Sequence, residues 1–253
     1  MASAILLGSG TSNGVPTLGV DYTPQFLANP KNHRTRPSLL LKGPDGNFLV
    51  DCAPEMRLQL LRAGVLMVDG VLITHTHADH IMGMDDLRSF CLKSKQDMPV
   101  YTLPQYQEDI RRVFSYAFKE FPPGIEVPRF QLFDVPPILD VVGLRLKTFL
   151  VKHGPIPVIA FRVNDFAYLT DVSEISDDGY AMLEGLDVLV LDAVRYKPHP
   201  NHFHFDRALE EAEKIGARRT VFTHLSHDYD HDVVNSTLPS GVELGFDGME
   251  LSV

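Results

Sequence analysis

The segment Val68-Asp69-Gly70-Val71-Leu72-Ile73-Thr74-His75-Thr76-His77-Ala78-Asp79-His80 constrains this chain more than any other stretch. An apolar run of strand composition passes directly into four potential metal ligands within six residues. Residues i and i+2 of an extended backbone project to the same side, so His75 and His77 can share one ion. A turn at Ala78 swings Asp79 and His80 toward a second. One loop cannot complete a tetrahedral or five-coordinate pair of ions, so further ligands are expected at strand ends elsewhere. His153 follows the strand run Leu144 to Val151, Asp171 ends Phe166-Ala-Tyr-Leu-Thr, and His224 ends Thr220-Val-Phe-Thr. Each alone has an ordinary reading, as a loop histidine, a turn or capping residue, and a core-edge histidine. Beside the first loop they read together as ligands.

Strand-like runs extend over Ala4 to Leu7, Ser38 to Lys42, Phe48 to Val50, Val71 to Thr74 and Val100 to Leu103. The second half adds Leu144 to Val151, Val158 to Val163, Phe166 to Thr170, Val188 to Leu191, Thr220 to Thr223 and Val242 to Leu244. Asp45-Gly46 and Asn164-Asp165 read as hairpin turns. Helical periodicity marks Pro54 to Ala63, Gln105 to Phe118 and Phe205 to Ile215. Two sheets' worth of strands with interleaved helices predict a layered α/β architecture, taken as one domain over residues 1–253. Lys119 to Pro137, with five prolines, reads as an irregular loop. A content of 44% hydrophobic and 22% charged residues permits a large core without covalent staples.

Of the 253 residues, 33 are acidic and 23 basic, a net charge of −10 that repels polyanions, so long nucleic acids are poor partners. Cys52 and Cys91 form no CxxC pair, there is no leader-like segment, and no apolar run approaches the ~18 residues of a membrane span. The chain therefore reads as a soluble cytoplasmic protein.

The order H-x-H-x-D-H, then His153, Asp171 and His224, resembles the metallo-β-lactamase superfamily of hydrolases. The resemblance implies an αββα four-layer sandwich of two mixed sheets flanked by helices. It also implies that His75, His77 and His153 hold one metal, Asp79, His80 and His224 another, and that Asp171 bridges both. Leu6-Leu-Gly-Ser-Gly-Thr-Ser-Asn-Gly-Val-Pro16, Thr223-His-Leu-Ser-His227 and Leu238-Pro-Ser-Gly-Val-Glu-Leu-Gly-Phe-Asp-Gly-Met249 are similar to the PhnP-type phosphodiesterases of phosphonate breakdown. Those enzymes can carry a Cys-x-Cys-x-x-Cys cluster that binds a structural zinc. Here the matching stretch is Gly19-Val-Asp-Tyr-Thr-Pro-Gln25, without a thiolate, so His227 is expected to take another role.

By the same resemblance, Asn201-His202 falls where the family places the histidine that protonates the leaving alkoxide. His202 and Asp79 are thus the expected catalytic residues, with His204 an alternative acid and His199 plain loop. Asp51 reads equally as an orienter of a ligating imidazole or as a helix cap before Pro54. Gly8 to Gly14 lacks a P-loop ending and reads as a tight turn under the site. Phe114, Tyr116, Phe118 and Phe121 read as core rather than as pocket wall or dimer contact, and a homodimer stays open. The expected activity is metal-dependent hydrolysis of a small or cyclic phosphodiester, with two divalent ions of zinc or manganese, iron also being admissible. The rivals are a transfer-RNA 3′-processing nuclease, disfavoured by the acidic surface, and a thioester or lactone hydrolase.

Overall fold

The structure, a computed structural model, describes residues 2–122 and 124–253. Its first-half strands are β1 (Ser3–Gly8), β2 (Ser38–Gly43), β3 (Gly46–Val50), β4 (Gly70–Leu72), β5 (Met98–Thr102) and β6 (Phe130–Asp134). The rest are β7 (Ile138–Val141), β8 (Leu144–His153), β9 (Ile156–Val163), β10 (Phe166–Leu169), β11 (Val188–Asp192), β12 (Arg219–Thr223), β13 (Val242–Leu244) and β14 (Met249–Ser252). They form two seven-stranded sheets, ordered β14-β1-β2-β3-β4-β5-β6 and β13-β12-β11-β10-β9-β8-β7. Both are mixed. The first is antiparallel from β14 to β3 and parallel from β3 to β6. The second is antiparallel from β7 to β10 and parallel from β10 to β13.

Strands covered on both faces read as continuous apolar runs, and Leu39-Leu40-Leu41 in β2 shows why. Leu39 and Leu41 enter the core between the sheets, against residues such as Ile159, Phe161 and Tyr168. Leu40 points the other way, into the core under the helices. The helices are α1 (Pro24–Ala28), α2 (Met56–Arg62), α3 (Ala78–Ile81), α4 (Arg88–Ser94), α5 (Pro104–Val113), α6 (Asp177–Met182), α7 (Phe205–Ile215) and α8 (His231–Asn235). Met56, Leu60, Cys91 and Ile110 cover the outer face of the first sheet. Ala208 and Ala212 of α7 cover that of the second, which completes the αββα sandwich.

Three sequence expectations are corrected. The stretch from Lys119 to Pro137 is not all loop, because Phe130–Asp134 forms β6 at the edge of the first sheet, parallel to β5. Its prolines flank that strand instead of interrupting it, with Pro123 outside the described residues. The helix expected from Gln105 to Phe118 ends at Val113, and a separate 3-10 turn follows over Ser115–Phe118. The break at Phe114 lets the Phe114 and Phe118 rings both meet the edge of Phe130, with centroids 6.0 and 5.9 Å away. Phe114 is buried and Tyr116 and Phe118 pack on the same core, whereas Phe121 is 39% exposed beside a surface cavity with Lys119 and Ile125.

Candidate metal centre

Six strand ends converge on one edge of the sandwich. Asp51 follows β3, the loop from Ile73 to His77 follows β4, and His153 ends β8. Asp171 lies just beyond β10, Asp192 ends β11, and His224 follows β12. His77 is the N-cap residue of α3, and that single helical turn presents Asp79 and His80, with the His80 ring 4.1 Å from that of His75. Asp51 and His224 adopt the left-handed backbone region, at φ 62° and 58°, which is uncommon outside glycine and reflects strain held by the surrounding structure. The ligand loop is laced to the Asp51 loop by Cys52 N–H donating to His80 O (2.7 Å) and Gly83 N–H to Cys52 O (2.9 Å). Only glycine permits that approach, since a Cβ at Gly83 would lie 2.0 Å from Ala53 O.

The structure brings the seven candidate ligands into two groups that share Asp171: His75, His77, His153 and Asp171, and Asp79, His80, Asp171 and His224. The Asp171 carboxylate straddles them. Its Oδ2 lies 3.8 Å from both His75 Nε2 and His153 Nε2, and its Oδ1 lies 3.3 Å from His80 Nε2 and 3.4 Å from His224 Nε2. Asp79 Oδ2 is 3.5 Å from each of those last two nitrogens. A tetrahedral zinc with bonds of about 2.0–2.1 Å sets donor-to-donor edges of roughly 3.3 Å, so this spacing suits a divalent ion. The Nε2 atoms of His80 and His224 are buried without a hydrogen-bond partner, as donors awaiting an ion would be. In the other group His75 Nε2 faces His77 Nδ1 at 3.0 Å.

Three of the outer nitrogens have partners, whereas His224 Nδ1 is buried without one. His80 Nδ1 donates to Asp51 Oδ2 (2.7 Å), and His75 Nδ1 faces Thr74 Oγ1 (3.2 Å), which itself donates to Asp51 Oδ2 (2.9 Å). Asp51 also accepts the Thr74 N–H and is fully buried, so it orients both rings; it does not cap α2, whose N-cap residue is Glu55. His153 Nδ1 donates to Asn201 O (2.7 Å). Thr76, between the two loop histidines, donates to Asp109 of α5 (2.9 Å).

Electrostatics separates the groups. Burial lowers His75 well below the usual imidazole range, and burial also lowers His77 and His153, against the pull of Asp171. Burial opposes charge at His80 and His224 too, yet the carboxylates outweigh it. Asp171, Asp51 and Asp79 raise His80 far above its normal value, and Asp171, Asp79 and Asp192 raise His224 to about 9. Burial pushes Asp79 and Asp171 toward protonation, but the facing histidines hold both well below the usual carboxylate range.

His202 stands beside this cluster, its Nε2 3.9 Å from Asp171 Oδ2 and its Nδ1 donating to Asp192 Oδ2 at 2.7 Å. Asp192 is buried, also accepts the Val172 N–H (3.0 Å), and escaped the sequence analysis. Its signal was the grammar of Asp171, an apolar strand closed by a carboxylate. His204 occupies the N-cap position of α7 and makes no capping bond from its side chain. A cavity of about 390 Å³ opens beside His202, and its walls include Thr11, Ser12, Asn13, Arg195, Lys197, His199, His227 and Asp228. Within Gly8 to Gly14 the expected tight turn is present, closed by Gly14 N–H donating to Thr11 O (2.8 Å), and its Thr11, Ser12 and Asn13 form part of the cavity wall. His199 is not plain loop: it packs edge-on to His202 at 4.8 Å, and burial and the His202 charge hold it down to about 4. His227 is exposed at the cavity wall, with Tyr22 edge-on to its ring at 6.4 Å. Tyr22, from the stretch that lacks the cysteines, stacks on Phe26 at 4.9 Å.

The sequence matches the model of the beta-lactamase superfamily domain over residues 46–225. A solved structure described as a new diphosphatase from the PhnP family superposes with a TM-score of 0.92 at 36% identity, covering 100% of this chain and 98% of that one. A Porphyromonas gingivalis protein named octanoyltransferase is 35% identical over 252 residues, 97% of this chain but 50% of its own length. A Bradyrhizobium diazoefficiens protein named ribonuclease Z is 30% identical over 129 residues, 49% of this chain and 42% of its own. The chain spans about half the length of the curated relatives it matches. No helix among the described residues is long and apolar enough to cross a membrane. With its two mixed sheets and its paired histidine and aspartate groups at one sheet edge, the chain belongs to the metallo-β-lactamase superfamily of metal-dependent hydrolases and, within it, resembles the PhnP family.

Proposed function

We propose that the chain hydrolyses a small phosphodiester with two divalent ions, one on His75, His77 and His153, the other on Asp79, His80 and His224, with Asp171 serving both. When bound, such ions supply Lewis-acid polarisation of a phosphoryl oxygen and lower the pKa of water toward neutrality. The observation that carries the reading is the Asp171 carboxylate, with one oxygen toward each donor group and His202 held by Asp192 beside it. Asp51 and Thr74 fix the rings of His80 and His75, so the donors are aligned before any ion arrives. Asp192 keeps the Nδ1 proton of His202, which leaves Nε2 to hand a proton to the departing oxygen.

Similarity to the PhnP-family diphosphatase supports phosphoryl chemistry. The ribonuclease Z relatives fit the same chemistry, but the net charge of −10 disfavours a long RNA. The Porphyromonas relative is named for octanoyl transfer, but this chain matches only 50% of its length, so an acyl substrate enters the assay as a control. The test is metal-loaded protein on bis-p-nitrophenyl phosphate, a p-nitrophenyl monoester and a thioester. Diester cleavage is expected, with His202→Ala losing far more on an alkyl-leaving diester than on the p-nitrophenyl one, because a good leaving group needs no acid. Activity on the thioester alone would overturn the reading.

A further inference from the structure

The histidines of the centre are not all held in the same way. His75, His80 and His153 each have a partner on the outer nitrogen, whereas both ring nitrogens of His224 are buried without one. His224 also stands at φ 58°, a left-handed conformation that persists only where neighbouring structure enforces it. Its direction is therefore set by its backbone and by ring packing, including the His202 ring stacked on it at 4.8 Å. The backbone just after it is pinned by the N-terminal segment. Leu225 N–H donates to Ser9 O (2.8 Å) and Leu225 O accepts the Thr11 N–H (3.1 Å), a short parallel bridge centred on Gly10.

Asp247 grips that segment from the far end of the chain. Its Oδ1 accepts the Ser9 N–H and the Ser9 hydroxyl, each at 2.9 Å. Its Oδ2 accepts the Thr35 N–H (2.8 Å) and hydroxyl (2.5 Å), and Thr35 O accepts the Gly10 N–H (2.8 Å). The side chain is only 3% exposed, so a carboxylate has been taken out of water to serve two backbone segments. The turn that carries it spans both sheets, with Gly245 N–H donating to Phe222 O of β12 (2.7 Å) and Gly248 N–H to Leu6 O of β1 (2.8 Å). A Cβ at Gly245 would lie 2.8 Å from Phe222 O, which accounts for the glycine.

On the two-ion reading above, we infer that Asp247 is a positioning residue for His224, acting through Ser9 and Leu225. It thereby sets the metal affinity of the group formed by Asp79, His80 and His224 without touching that group. With Asp247 in place the Ser9 to Thr11 segment cannot slide, and Leu225 is fixed at both its N–H and its carbonyl. The left-handed turn at His224 then holds Nε2 3.5 Å from Asp79 Oδ2 and 3.4 Å from Asp171 Oδ1. The group of His75, His77 and His153 is held by other means, through Thr74, Asp51 and Asn201. An amide at position 247 keeps the shape but has one acceptor oxygen, so either Ser9 or Thr35 meets N–H with N–H.

The experiment measures zinc affinity by competition with a chromophoric chelator for Asp247→Asn placed on two backgrounds. His77→Ala leaves the group containing His224, and His224→Ala leaves the other. Affinity is expected to fall about tenfold or more on His77→Ala and to stay within about twofold on His224→Ala. Ser9→Ala, which loses the hydroxyl bond and keeps the N–H one, is the milder variant and should show the same selectivity at a smaller fold-change. Leu139→Ala, a core truncation in β7 at the far edge of the second sheet, controls for lost stability and should leave both affinities unchanged. An equal fall on both backgrounds, no fall on either, or a selective fall reproduced by Leu139→Ala would overturn the inference and leave the two-ion reading in place. Wild-type protein that takes up fewer than two zinc ions would end that reading and the inference with it.

Discussion

His75, His77 and His153 meet Asp171 from one side, Asp79, His80 and His224 from the other, and the two groups sit in different surroundings. The first is built of imidazoles alone, and burial keeps them neutral, the form that binds a metal. The second places two imidazoles among Asp171, Asp79 and Asp51, and in metal-free protein those carboxylates load both rings with protons. The difference teaches that one sheet edge can make two unequal sites from similar ligands by where it puts its carboxylates. An ion entering the first group displaces no imidazolium proton, whereas one entering the second must expel protons before it binds.

The largest expected effect tests what the groups share. Asp171→Ala should remove metal from both and lower diester hydrolysis on the order of 10³-fold or more, read by elemental analysis and kcat/KM. Retention of two equivalents of metal by that variant would break the comparison. Next come the substitutions meant to separate the groups. His77→Ala should cost one equivalent and leave the second group loaded, and His224→Ala should do the converse. Loss of both metals in either variant would mean that the groups are not separable.

Asp51 sharpens the contrast further. It accepts directly from His80 but reaches His75 only through Thr74. Asp51→Ala should therefore weaken metal affinity about 10–100-fold, and more in the second group than in the first, by competition with a chromophoric chelator. The smallest effect is on stability. His224 is raised from 6.5 to about 9 in the folded metal-free protein, so its charge contributes stability fully present below pH 6.5 and lost as pH rises through about 9. The lowered histidines of the first group act in the opposite direction and only near pH 6.5, where their unfolded forms still bind protons, so above about pH 7.5 the slope is that of the raised histidines. The metal-free Tm should fall by a few degrees between about pH 7.5 and 9, and less so in His224→Gln.

Much of this grouping was legible because its members follow one rule, an apolar strand ending in a candidate ligand. His75 to His80, His153, Asp171 and His224 all obey it, and the alternation of strand runs with helical ones made the αββα layering legible as well. Asp192 obeys it too and was passed over, since nothing local separates Val188 to Asp192 from any other strand end. Only the parallel register that sets β11 between β10 and β12 brings Asp192 to the common edge. The strand β6 was hidden by its flanking prolines, and β14 by its partner, because Met249 to Ser252 pairs with β1 at the opposite end of the chain. The cavity wall at Thr11 to Asn13 was equally invisible: it depends on Thr11 N–H donating to Leu225 O across the fold.

The most direct test of the two unequal groups is calorimetric titration of metal-free protein with zinc at pH 7, repeated in buffers of different ionisation enthalpy so that released protons are counted. Two binding events per chain are expected, of which one releases markedly more protons than the other, with that excess lost in His224→Ala. Two events with equal proton release, or a single event in the wild-type protein, would contradict it.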